Sequence, residues 1–190
     1  MTNGMTFLEY RELAMRTAVY PAAARVQYPA LKLAGEAGEA AGKLAELAAA
    51  GDRGPLLAEL GDVLWYVAAL TRDLVTLEAW MSRPLADLEV EASAVADLSL
   101  TGSVLRMVAA ASAPAERFGK LIRDGGLGDG GSVPTEAAAL MLRSARETLL
   151  HAAVAARALG SSLEGVARAN VAKLASRQAR GVLHGSGDSR

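Results

Sequence analysis

A chain of 190 residues with a formal net charge of -1 and no cysteine is long enough for one large domain or two small ones, and it can form neither disulfides nor thiolate metal sites. The near-neutral balance of charge argues against broad nucleic-acid binding, and the longest apolar run, Val63 to Leu70, is too short to span a bilayer. Glu9, Arg11 and Glu12 interrupt any leader-like pattern, so the expectation is a soluble, cytoplasmic protein with no nucleic-acid or membrane partner.

The composition is 52% hydrophobic but only 4% aromatic, and it is crowded with Ala and Leu, which favours packed helices. Thr6 and Glu9 form a capping-box pattern that opens a first helix towards Tyr20. Pro21 and Pro29 bracket a connector, and a second helix follows Pro29 and ends near Gly51. Pro55 suits the start of a third helix, in which Leu60, Val63, Leu64, Val67 and Leu70 recur at helical spacing. Thr76 starts a short fourth helix that runs into Pro84. Further helices are expected over Leu85 to Leu98, Val104 to Arg123 and Thr135 to Leu159, the last two separated by the glycine-rich loop 125–132. Ser161 and Glu164 form a second capping box, opening a final helix to about Arg180. No segment alternates like a strand, so the expected fold is an all-α, antiparallel helical bundle.

Two carboxylate doublets stand out. Glu36 and Glu39 lie three residues apart in the second helix, and Glu59 and Asp62 lie three apart in the third. That spacing puts each doublet on one helix face. Side-by-side packing would converge four carboxylates, which repel one another unless cations hold them. Hard divalent cations take such oxygen ligands, and magnesium in these sites also grips substrate phosphates. In isolation, a Glu-x-x-Glu pair is ordinary solvated surface. Lys43, four residues after Glu39, offers a simple ion pair for it.

The second half reads as a worn copy of the first. Gly42-Lys43-Leu44 matches Gly119-Lys120-Leu121, and Leu77-Glu78 matches Leu163-Glu164. On this alignment Glu36, Glu39, Glu59 and Asp62 fall on Ala113, Glu116, Ala145 and Thr148. In the final helix Asn170, Lys173 and Arg177 share one face, and their counterparts in the first copy are Pro84, Asp87 and Glu91. The halves, 1–83 and 84–190, would form one compact pseudo-dimer with a single composite site, anionic from one half and cationic from the other. The chain would be a pseudo-dimeric monomer or would pair into a homodimer.

Three segments carry a resemblance: 31–39 with Glu36 and Glu39, 59–66 with Glu59 and Asp62, and 170–177 with Asn170, Lys173 and Arg177. They resemble the MazG-like nucleoside triphosphate pyrophosphohydrolases, whose metal signature is Glu-x-x-Glu, a spacer, then Glu-x-x-Asp. The tail 180–190 resembles the ending of some members, while the block between Leu70 and Ser161 is an addition to the simple pattern. The resemblance implies hydrolysis of a nucleoside triphosphate to monophosphate and pyrophosphate, in nucleotide-pool sanitation or balance. Glu36, Glu39, Glu59 and Asp62 would hold Mg2+, or Mn2+ as a substitute. Glu36 or Glu39 would take a proton from the attacking water. Asn170, Lys173 and Arg177 would face the phosphates. Tyr66 and Trp65 would wall a base pocket, although core packing accounts equally well for Trp65. His151 is expected in packing, and Asp188 and Arg190 in a lid over nucleotide or in a frayed terminus. The competing functions are a non-catalytic nucleotide or metal sensor of the same fold and a helical scaffold.

Overall fold

The computed structural model describes residues 4–74, 77–95 and 99–182. The helices are α1 (Phe7–Ala14), α2 (Gln27–Ala50), α3 (Gly54–Asp73), α4 (Leu85–Val95), α5 (Leu100–Arg123), α6 (Thr135–Ala158) and α7 (Leu163–Ala179). Among the described residues there is no strand, and none of the helices is long and apolar enough to cross a membrane. The all-α expectation is met.

The capping box at Thr6 forms as expected: the Thr6 hydroxyl accepts from the Glu9 N–H at 3.1 Å and the Thr6 N–H donates to the Glu9 carboxylate at 2.7 Å. The helix stops at Ala14, not Tyr20, and tightens into a 3-10 turn over Met15–Thr17. The Thr17 hydroxyl and the Trp65 indole N–H both donate to the Ala14 carbonyl, which fixes that end against α3. The second helix begins before Pro29, because proline fits a helix's first turn, where no backbone N–H is needed. Val26 precedes it at φ 61°, ψ -53°, and the Gln27 N–H donates to the Arg25 carbonyl at 2.7 Å. This is a γ-turn on a β-branched residue, a strained conformation of order 1–3 kcal/mol. The buried Val26 side chain holds it in place.

The helix expected from Thr76 is instead a 3-10 turn over Ala79–Ser82, and Thr76 itself lies outside the described residues. The fifth helix starts at Leu100, four residues earlier than its apolar pattern suggested, because the Ser99 hydroxyl caps it by accepting from the Gly102 N–H. The glycine-rich loop contains a 3-10 turn over Asp129–Gly131.

Helix α2 packs on α3 and α5, and α6 packs on α5 and α3. Leu33, Leu56, Leu60, Leu64, Met107 and Met141 are fully buried among them, each contributing about 1.5–3 kcal/mol by leaving water. The third helix's stripe of Leu60, Val63, Leu64, Val67 and Leu70 is buried throughout, as its spacing predicts. The remaining helices cross over. The helix that follows α3 along the chain, α4, packs on α6, while α7, which follows α6, packs on α3.

Three contacts set the start of α7. Gly160 adopts φ 71°, and a Cβ there would stand 2.6 Å from the Arg53 guanidinium, which donates to the Leu159 carbonyl. The Ser162 hydroxyl accepts from the Gly165 N–H. The expected capping box at Ser161 and Glu164 does not form. Glu89 of α4 accepts from the Leu163 N–H at 2.7 Å, and Glu164 pairs with Arg168. An acid from another helix thus supplies the anion that the N-terminus favours.

Candidate metal site

Glu36, Glu59 and Asp62 converge where α2, α3 and α7 meet. One carboxylate oxygen from each lies within 4.8 Å of the others. Glu36 and Glu59 are buried, with 8% and 4% exposure, and Asp62 is half-buried. Coulomb's law gives roughly 3.5 kcal/mol of repulsion per ionised pair at 4.8 Å and an effective dielectric near 20. Cations must answer it. The Lys32 ammonium sits 2.8 Å from Glu36, one turn back on α2. The Lys173 ammonium of α7 grips both Asp62 oxygens, at 2.6 and 2.7 Å. Asn170 adds an amide N–H to Asp62 at 3.2 Å and accepts on its carbonyl from the Tyr10 hydroxyl at 2.9 Å.

The final helix reaches the acids because α3 gives it room. Gly61 is buried at the crossing, and a Cβ there would stand 3.1 Å from the Asn170 side chain. A groove of about 210 Å³ runs on between α3 and α7, lined by Gly54, Ala58, Gly165 and Ala169 as well as Asn170 and Lys173.

The electrostatics follow from burial. Desolvation raises the Glu36 carboxyl above its ordinary value, with Lys32 opposing and the charges of Asp62 and Glu39 adding. Partial burial pulls the Lys32 ammonium down, but the hydrogen bond and charge of Glu36 outweigh it, and its pKa ends above the usual value. Tyr10 is pushed well up by burial and by Asp62, so its phenol stays a donor to Asn170. Tyr66 is raised by burial, by the Tyr28 hydroxyl at 3.2 Å and by the nearby carboxylates.

The raised Glu36 value sets a pH dependence. Between the ordinary value of 4.5 and the folded one, the unfolded chain holds fewer protons than the native state. The contribution of Glu36 to stability is therefore fully present below 4.5 and is lost as pH rises through its folded value. Glu36→Gln should melt higher than the metal-free wild type near neutrality. The gap should close as pH falls towards 4.5, and thermal melts across pH check this.

Of the residues singled out by sequence, Glu36, Glu59, Asp62, Asn170 and Lys173 come together. Arg177 lies half-buried further along the α7 face. Glu39 is exposed and stands outside the three-carboxylate group, though its charge acts on Glu36 and Lys32. Lys43 meets Glu46 at 3.1 Å. Tyr66 borders the acids, with the Lys32 ammonium 5.7 Å from its ring centre. Trp65 does not border them: its indole N–H is committed to Ala14 and to the Thr17 hydroxyl, which makes it a strut for α1. His151 is buried in α6, and burial lowers its pKa. Asp188 and Arg190 lie outside the described residues. Sequence reading missed Lys32, Tyr10 and Tyr28. The i,i+4 spacing of Lys32 to Glu36 was a usable signal, whereas Tyr10 carried none, because its partner lies far along the chain.

At the positions aligned with the acids, the second half is filled by packing. Ala145 and Thr148 are wholly buried, and the Thr148 hydroxyl donates to the Ser144 carbonyl at 2.8 Å. Glu116 pairs with Lys120 on the surface, and Glu91 pairs with Arg83 and Arg146.

Fold and site together define an all-α protein with a buried, lysine-neutralised carboxylate group at a junction of helices. No family model matches the chain, and no solved structure matches it. The gene 37 protein of Mycobacterium phage L5 is 38% identical over 86 residues, which cover 38% of this chain and 73% of the phage protein. The chain belongs to the family of that phage protein.

Proposed function

We propose that this protein is a magnesium-dependent nucleoside triphosphate pyrophosphohydrolase, releasing monophosphate and pyrophosphate. The observation that carries the reading is the convergence of Glu36, Glu59 and Asp62 within 4.8 Å, with Lys173 and Asn170 brought to Asp62 from α7. Oxygen donors at that separation fit a hard divalent cation, whose ligands stand at roughly 2.0–2.6 Å. Magnesium held by these three residues would supply charge neutralisation and Lewis acidity towards the phosphates.

The protein's own groups divide the remaining work. Asn170 orients Asp62 and is itself fixed by Tyr10. Lys173 and Arg177 present positive charge along α7 to the phosphate chain. Glu39, outside the tight group but one turn from Glu36, has an exposed carboxylate oxygen that would accept the proton of the attacking water. Tyr66 borders the site on the α2 side.

The same reading takes the chain as a fused pair of MazG-like halves, 1–83 and 84–190, the second degenerate. The packing of α7, from the second half, on α3 of the first supports it, as does the packing that replaces the acids at Ala145 and Thr148. The deciding experiment measures magnesium-dependent pyrophosphate release across ribo-, deoxyribo- and damaged nucleoside triphosphates. Release with a monophosphate product is expected. Magnesium binding without turnover of any substrate would leave a sensor of the same fold, and absence of both would leave a scaffold.

A further inference from the structure

Lys32 lies outside both carboxylate doublets, yet it occupies the site. Its ammonium lies 2.8 Å from Glu36 on one side and 5.7 Å from the centre of the Tyr66 ring on the other. It mirrors Lys173, which grips Asp62 from α7 at 2.6 Å. Glu36 and Asp62 are thus each paired with an ammonium group, one on each flank of the three carboxylates. A divalent cation seated among Glu36, Glu59 and Asp62 would compete with both lysines for the same oxygens. Each would then be released from its carboxylate while still tethered within a side chain's length of it.

On the proposed metal-dependent reading, we infer that Lys32 is an exchangeable counter-ion. It neutralises Glu36 in the metal-free site and moves to the polyphosphate of the substrate when the cation takes its place. The geometry favours this exchange. Lys32 retains 38% side-chain exposure against 11% for Glu36, so its stem can swing to solvent while the carboxylate stays fixed. The face of Tyr66, already 5.7 Å from the ammonium, keeps a favourable contact for it when Glu36 turns to the cation. Lysine suits such a handover, being a compact charge on a flexible stem.

The exchange predicts effects of opposite sign from one substitution. In Lys32→Gln the competing charge is gone, so Mg2+ alone should bind more tightly, by about threefold if the lost pair resembles other partly exposed ion pairs. Inorganic tripolyphosphate, which probes the phosphate site without a base, should bind the magnesium-loaded variant at least about tenfold more weakly, as expected for a lost charge-assisted hydrogen bond. Lys32→Arg should recover most of the tripolyphosphate affinity. Calorimetric titration of each protein with Mg2+, and then with tripolyphosphate, reads both quantities without turnover. A Lys32→Gln variant that loses both affinities together, or changes neither, while melting like wild type, would overturn the exchange and leave Lys32 a structural partner of Glu36. Wild type that binds no Mg2+ would overturn the metal-dependent reading as well, so the two failures are distinguishable.

Discussion

Glu59→Gln is expected to abolish magnesium-dependent pyrophosphate release while leaving the protein folded. Glu59 is the most deeply buried acid of the three, with 4% exposure, and it sits beside Asp62 on α3 and Glu36 on α2. The amide keeps the shape of the carboxylate but removes the charge that a hard cation requires. Losing an outer partner of a metal ligand costs roughly 10–100-fold, so losing the ligand itself should exceed that. Wild type should gain in midpoint with Mg2+, by about 2.7 kcal/mol of stability at a hundredfold excess over the dissociation constant. The variant should not. Glu39→Gln makes the informative contrast: Glu39 stands outside the tight group, so turnover should fall while the Mg2+-induced shift in midpoint survives. Retained turnover in Glu59→Gln would remove it as a ligand.

The second large effect concerns the chain of contacts from Tyr10 through Asn170 to Asp62, which ties α1, α7 and α3 together. Asn170 is 3% exposed, and Tyr10 is wholly buried. Asn170→Ala leaves the Tyr10 hydroxyl without its acceptor and takes an amide donor from Asp62. An unsatisfied buried group costs about 1–3 kcal/mol, and the lost side chain adds a void beside Gly61. In a chain of this size, ~3 kcal/mol lowers the thermal midpoint by about 6–12 °C. Tyr10→Phe should cost less, because it leaves the Asn170 amide in place on Asp62. Urea unfolding of the two single variants and the double variant gives the coupling energy, expected to exceed ~0.5 kcal/mol for groups in direct contact. Additive effects would show that the two side chains do not act as one link. Turnover should fall in Asn170→Ala beyond what its stability loss explains, since Asp62 then loses its orienting donor.

Much of this molecule is local in origin and legible along the chain. The third helix is a case in point. Leu60, Val63, Leu64, Val67 and Leu70 recur at helical spacing, and burying that stripe is the dominant favourable term, so the stripe had to face inward. The Thr6 cap is equally local, because its donor and acceptor are three residues apart. The pairing of acids within each doublet also follows from helix geometry alone, and so does the contact of Lys32 with Glu36.

What the chain order could not carry is everything decided by contacts between distant segments. Glu39 shares a face with Glu36, yet only Glu36 is buried with Glu59 and Asp62 of α3, while Glu39 stays exposed outside that group. Trp65 and Tyr66 are adjacent, but α1 claims the indole of one, while Tyr28 and the acids border the phenol of the other. Glu164 does not cap the last helix; Glu89, a residue on another helix, accepts from the Leu163 N–H instead. The site itself depends on α7 crossing to α3, a placement set by the Arg53 contact at Leu159 and by the room that Gly61 leaves for Asn170. Sequence by itself determined the helices, their buried faces and the acids on offer, since those follow from spacing within one segment. Only the tertiary structure decided which acids meet and which cations answer them, because burial, charge repulsion and close approach act between segments that the chain keeps apart.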